Sequence, residues 1–236
     1  MGPRAKHKSE ATRRQILDRA LQLFRNKGFD ETTMRDIAAA AELATGAAYY
    51  HFPSKEAIVM AYYEQVQREH EERLRDCLDG VTGLRERLGI VIHTKLDILQ
   101  NDRKLLGALF RFTGDPEHPA SVFGSGTRTA REHSIAIFCS ALEHEDLPEH
   151  LRPLLPTLLW FLHLGILLFF ICDNSPVQRR TRKITDGMLD LLVQLLRLSS
   201  LPLVRGVLQP VQEKTIGLLR EAGLVPEAQE RPARNE

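Results

Sequence analysis

The chain has 236 residues, 43% hydrophobic and 27% charged, a balance that excludes a disordered chain and suits one large globular domain or two smaller ones. Cys77, Cys139 and Cys172 form no Cys-x-x-Cys pair, which argues against a disulfide framework or a zinc module and suits a reducing cytoplasm. The net charge of +1 hides an asymmetry: residues 1–27 carry eight bases against two acids, a net +6, and leave −5 for the remainder.

A basic head on an acidic body is the electrostatic footprint of a polyanion bound at one end, although a solvated basic tail has the same composition. The opening "MGPRAKHKSEATRR" is basic and has no continuous apolar run, so a secretory signal is not expected. Apolar residues recur at helical spacing almost throughout, and strand-like alternation between tight turns is missing. The fold expected is all-α.

In chain order, residues 1–8 form a basic arm and a first helix spans about Ser9 to Lys27. Ile16, Leu17, Ala20, Leu21, Leu23 and Phe24 make its apolar stripe and Gly28 its stop. Thr33-Met-Arg-Asp36 has capping-box spacing and opens a second helix that runs to Ala41. Thr45 is placed to cap a third, short helix ending near Phe52; Pro53 and Ser54 then break and recap the chain into a fourth reaching about Leu78. Longer, more apolar helices follow over about 84–100, 103–112, 127–143, 148–172, 176–198 and 204–222, the last kinked at Pro210. "TGDPEHPASVFGSG" is the longest loop signal, and residues 225–236 read as a polar tail. The division is therefore 1–53, 54–224 and 225–236.

Two short helices joined by a tight turn form a helix-turn-helix. In "TGAAYYHFPSK", residues 45–55, Gly46 and Ala47 keep the leading face slim enough for the backbone to approach a major groove. Tyr49, Tyr50 and His51 can then reach phosphates or lay a ring on a thymine methyl, and Lys55 can aim a charge at the same backbone.

The stretch "TTMRDIAAAAELATGAAYYHFPSKEAI", preceded by "RRQILDRALQLFRNKGFDETT", resembles the DNA-binding signature of the tetracycline-repressor (TetR) family over about residues 10–62. Phe24, Gly28, Thr33, Ile37, Ala38, Gly46, Tyr49, Phe52, Lys55 and Glu56 fall where that family places its equivalents. Leu43-Ala44 departs from the Val-Ser often found there, at the expense of one phosphate contact. The resemblance implies that Thr33, Tyr49, His51 and Lys55 touch the DNA backbone while Thr45, Ala47 and Tyr50 face bases. Gly46 and Ala47 offer no side-chain hydrogen bond, so readout rests on Thr45, Tyr50 and Arg35, with a contribution from DNA shape.

Beyond residue 62 the resemblance fades. "LLPTLLWFLHLGILLFFIC", residues 154–172, is apolar on every face and long enough to cross a bilayer. Pro156 and His163 inside it, Arg152 before it, and the basic run Arg179, Arg180, Arg182 and Lys183 after it argue for a buried core helix instead. Ile184, Met188, Leu191 and Leu195 form one stripe of the next helix and Leu189, Val193 and Leu196 another. One stripe can face the core and the other, with Leu158 and Phe161, a second copy in a four-helix dimer interface of the kind the resemblance implies.

The family's bodies enclose a ligand. The aromatic-rich candidates here are His93, Leu109, Phe110, Phe112, Phe138, Trp160 and His163, a set suited to a small apolar or aromatic effector; each is also at home in an ordinary core.

No nucleophile elbow, phosphate-cradling loop or dinucleotide fingerprint occurs, so neither catalysis nor a cofactor is expected. "EHEDLPEH", residues 143–150, has no metal-ligand spacing and reads as a solvated connector. The expectation is a homodimeric, cytoplasmic, ligand-responsive repressor binding a double-stranded, palindromic operator. The alternative is a helical membrane-associated or ligand-binding protein that does not bind DNA.

Overall fold

The computed structural model describes residues 3–115, 117–143, 145, 147, 151–199, 214 and 217–218. All but residues 214, 217 and 218 of the helix expected over 204–222, the polar tail and most of the 143–150 connector lie outside the described residues. Nine α-helices are described, α1 Pro3–Asn26, α2 Met34–Ala40, α3 Thr45–His51, α4 Lys55–Cys77, α5 Leu84–Leu99, α6 Arg103–Phe110, α7 Arg128–Ala141, α8 Leu155–Cys172 and α9 Arg179–Ser199, and no strand lies among the described residues. Short 3₁₀ turns extend α6 (Arg111–Gly114) and precede α9 (Pro176–Gln178).

The first helix begins at Pro3, not near Ser9; proline suits a first helical turn because its missing N–H has no intrahelical partner there. Conversely α8 begins at Leu155, later than the expected Pro148, with Pro156 in its first turn.

Helices α1–α3 close around Ile16, Ala20, Phe24, Ile37, Ala38, Ala48 and Phe52, all fully or almost fully buried. The capping box at α2 is complete: Thr33 Oγ1 accepts from the Asp36 amide and the Asp36 carboxylate accepts from the Thr33 amide. Lys27 Nζ, 2.8 Å away, and the two bonds to Thr33 hold the Asp36 carboxyl down at about 2.

The turn into α3 is a Schellman motif. The Leu43 amide donates to Ala38 O and the Glu42 amide to Ala39 O, with Glu42 left-handed at φ 56. Gln15 Nε2 on α1 donates to Ala41 O at 2.9 Å and fixes that turn against α1.

Helix α5 is the centre of the body, packing against α4, α7, α8 and α9 and burying Leu88, Val91, Ile92 and Leu96 completely. Arg103, at the start of α6, donates to the Phe170 and Ile171 carbonyls and satisfies the end of α8. Asp173 accepts from Ser175 N, Thr181 N and Thr181 Oγ1 and so pins the α8–α9 connection. Arg85 and His93 on α5 grip Asp186 and Asp190 on α9.

Glu42 is exposed and occupies a conformation in which a Cβ is unfavourable, whereas glycine adopts it freely. Glu42→Gly should stabilise the protein by up to about 1 kcal/mol, read as a raised midpoint in thermal denaturation; an unchanged or lower midpoint would show that the turn is unstrained.

Candidate nucleic-acid interface and internal cavity

Helix α3 is anchored from below and bare above. Ala48 and Phe52 are buried while Tyr49 is 50% and Tyr50 75% exposed, and an apolar ring body left in water is what a contact surface holds ready. The Arg13 guanidinium lies 4.6 Å from the Phe52 ring centre, clamping the end of α3 to α1. His51 is half-buried and meets Tyr50 edge-on, which limits where the Tyr50 ring can swing.

Thr45, Gly46 and Ala47 open the helix, and nothing lies within 4 Å of a Cβ placed on Gly46. Thr45 does not cap: it is the first helical residue, Ala44 occupies the cap position, and no side-chain cap bond forms. Thr33, the cap of α2, and Arg35, within it, are exposed, and Thr33 Oγ1 only accepts within the cap, which leaves its own proton unused there.

Lys55 is a correction. Its ammonium donates to Phe29 O at 2.7 Å and Asp30 O at 3.3 Å and lies 4.5 Å from the Phe29 ring centre. The loop after α1 leaves two carbonyls facing a compact cation, so Lys55 fixes the α1–α2 loop to the start of α4 instead of pointing at a phosphate.

The three-helix head meets the body through a buried carboxylate. Asp102, 4% exposed at the start of α6, is ion-paired to Arg25 of α1 and accepts from the Tyr62 hydroxyl of α4 at 2.8 Å. Burial, together with the Asp102 charge, holds the Tyr62 phenol far above its ordinary range. Around this centre Arg111 pairs with Asp30 at 2.6 Å, and the Phe112 ring packs edge-on to Phe29 and stacks on His118.

Within the body lies a cavity of about 130 Å³. Of the residues named above as candidates for a ligand pocket, Leu109, Phe110, Trp160 and His163 line this cavity, and His93, Phe112 and Phe138 do not. His93 is drawn to Asp186 at the α5–α9 contact, 3.0 Å away. Phe112 belongs to the head–body junction, and Phe138 is buried behind the cavity wall, edge-on to His163. The polar part of the lining, which includes Tyr62, Tyr63, Gln67, Lys95, Arg131 and Ser134, is absent from the sequence expectation. One signal was available, since Lys95 interrupts the apolar face Leu88, Val91, Ile92, Leu96 and Leu99 of α5.

The outer face of α8 and α9 is apolar and uncovered. Ile184, Met188, Leu191, Leu195 and Leu198 recur with near-heptad spacing and are all exposed, whereas Thr181, Thr185, Leu189 and Val193 on the opposite stripe are buried. Leu158, Leu168 and Phe169 on α8 are exposed as well, and Phe161 is half-buried. Helix α8 is the one described helix long and apolar enough to cross a bilayer, and half of it is buried in the protein.

The family model described as bacterial regulatory proteins, tetR family, matches residues 16–62, and that described as tetracyclin repressor-like, C-terminal domain, matches residues 87–213. Over 73 residues the chain is 33% identical to the HTH-type transcriptional regulator UidR of Escherichia coli K12, covering 31% of this chain and 37% of UidR. Over 113 residues it is 30% identical to AcrR of Shigella flexneri, covering 45% of this chain and 50% of AcrR. The matched stretches thus span between about a third and a half of these curated relatives.

Among solved structures, a TetR-family regulator from Syntrophomonas wolfei superimposes with a TM-score of 0.62 at 17% identity, covering 78% of this chain and 95% of that one. FadR from Bacillus subtilis in complex with stearoyl-CoA gives 0.58 at 17%, covering 74% and 96%. AibR in complex with isovaleryl coenzyme A and operator DNA gives 0.53 at 19%, covering 75% and 97%. At these identities the structures establish a shared fold, and it is the two family models, one on the helix-turn-helix and one on more than half of the chain, that place this protein in the TetR family.

Proposed function

We propose that the protein is a ligand-responsive transcriptional repressor that binds a palindromic operator as a homodimer and is released by a small effector held in the body. Residues 1–53 read DNA, residues 54–224 bind the effector and dimerise, and the protein acts in the cytoplasm, without catalysis. The observation that carries this reading is the exposure of Tyr49 and Tyr50 on a short helix whose other side is locked by Ala48 and Phe52. AibR, with the same fold, is named in complex with operator DNA and an acyl-coenzyme A.

Dimerisation follows from the unsatisfied face. A stripe of large apolar residues left in water is costly at ~25 cal/mol per Å², and a twofold copy presenting the same stripe covers it with a like surface. Gly165 and Gly187 are exposed, with nothing within 4 Å of an added Cβ, so neither obstructs a close approach of helices. The exposed residues of α8 belong to the same kind of surface as those of α9, which favours a second copy over lipid as their cover.

The cavity and the head share a residue. Tyr62 lines the cavity with its ring and holds Asp102 with its hydroxyl, and Asp102 holds Arg25 of α1. An occupant that shifts the Tyr62 ring loosens Asp102 and changes how α1, and with it the reading helix, is seated on the body. Ligand and DNA are then coupled through one hydrogen-bonded chain.

Three outcomes test this function. Tyr50→Ala should narrow the difference in affinity between operator and random DNA by roughly 1–3 kcal/mol in fluorescence anisotropy; an equal loss on both would assign Tyr50 to backbone positioning. Leu191→Glu combined with Leu195→Glu should give a folded monomer by light scattering, with operator affinity reduced at least about tenfold because one head makes half the contacts; a persisting dimer would place the interface elsewhere. Combining Tyr62→Phe with Arg25→Ala should reveal an interaction free energy on the order of 1 kcal/mol in denaturant unfolding; strict additivity would break the proposed chain at Asp102.

A further inference from the structure

Lys95 projects from the buried face of α5 into the cavity and is only 7% exposed. An ammonium has three donors, and the hydrogen bond found for Lys95 is a long one, 3.3 Å to Gln67 Oε1. That oxygen also accepts from Ser134 Oγ at 3.1 Å. The nearest acid along this network is Glu71, which is reached through the other end of the Gln67 carboxamide at 3.0 Å and itself faces His133. No carboxylate pairs with Lys95 among the described ion pairs.

Burial pushes the Lys95 amine down to about 7, with Glu71 and Glu69 resisting only in part. The two histidines that feel its charge carry none of their own near neutral pH. Burial first and Lys95 second hold His70 down at about 2 and His163 at about 3. Tyr62 and Tyr63 are held protonated by burial. Arg131, also in the lining, donates to the Val122 and Gly124 carbonyls. The lining therefore contains Lys95, Arg131 and the uncharged His163, and no acidic side chain.

We infer that the cavity takes a small apolar monoanion: an organic acid whose carboxylate seats on Lys95 and whose hydrocarbon body packs against Leu99, Leu106, Leu109 and Trp160. This rests on the reading of the cavity as the effector site and names the chemical class of the effector. Burial disfavours the ammonium in the empty cavity, and a carboxylate beside it supplies the counter-ion that stabilises the charged form. A neutral ligand of the same shape supplies no counter-ion, and a cation is repelled by any charge on the amine. The volume of about 130 Å³ is close to the ~150 Å³ of a cavity that accepts benzene, so a single ring or a short branched chain is a body of matching size. Because the empty cavity favours the neutral amine and the carboxylate favours the ammonium, binding near neutral pH takes up a proton from solvent.

The experiment uses the full chain and three probes of one shape: 3-phenylpropionate, 3-phenylpropanol and phenethylammonium. Binding is followed through Trp160, the single tryptophan, which lines the cavity, and by calorimetry in buffers of different ionisation enthalpy. The acid should bind at least about tenfold more tightly than the alcohol, corresponding to ~1.4 kcal/mol, with net proton uptake, and the cation should bind most weakly. Lys95→Met should abolish the preference for the acid while retaining the alcohol. Lys95→Arg should retain the preference without the proton uptake, which keeps the test decisive if the methionine variant does not fold. Equal binding of acid and alcohol, or a preference that survives Lys95→Met, overturns the inference while leaving the effector cavity standing. If none of the three probes perturbs Trp160, the effector-cavity reading falls with it.

Discussion

A carboxylate almost removed from water must be paired, and the pairing of Asp102 decides how the two parts of this molecule sit together. Arg25 reaches it from the end of α1 and Tyr62 from the middle of α4. Removing one partner from a buried charge costs far more than an exposed pair is worth, so these three residues define the seat of the head on the body. The surrounding contacts agree with that seat. Lys55 ties the α1–α2 loop to α4, Arg111 ties Asp30 to the end of α6, and Phe112 lays its ring against Phe29. Each joins an element of the head to an element that encloses or adjoins the cavity.

The body separates its surfaces with comparable economy. In α9 a rotation of about 100° per residue places the threonines and Leu189 against α5 while Ile184, Met188, Leu191 and Leu195 face outward. The ion pairs from Arg85 to Asp186 and Asp190, with the contact of His93 to Asp186, fix which stripe is which. Helix α8 needs no such choice, being apolar all round: it packs on α6 and α7, adjoins the cavity, and leaves Leu158, Leu168 and Phe169 exposed.

The head was legible because its signals are local. A capping box is four residues long, Gly28 is required where φ is 99°, and the contrast between buried Ala48 and exposed Tyr50 follows from helical periodicity. Family resemblance covered the same stretch. What sequence reading missed was set by contacts between distant segments. Lys55 has the position of a phosphate-binding lysine, yet the carbonyls of Phe29 and Asp30, twenty-six and twenty-five residues earlier in the chain, claim its ammonium. His93 and Phe112 have the right chemistry for a pocket, but an aspartate on α9 draws one away and Phe29 the other. The start of α1 was placed too late because a charged stretch carries no apolar periodicity even when helical. Lys95 was the readable exception, a cation on an otherwise apolar stripe, where a buried charge most often marks function.

We propose that a tyrosine-tipped helix, presented twice by a symmetric dimer, enters a DNA duplex. Selection of bound fragments from a random double-stranded pool by the 236-residue chain puts this to the test. Enrichment of an inverted repeat is expected, with half-sites about one helical turn apart or a small multiple of it. Recovery of no sequence at all, or of a motif without twofold symmetry, would contradict it.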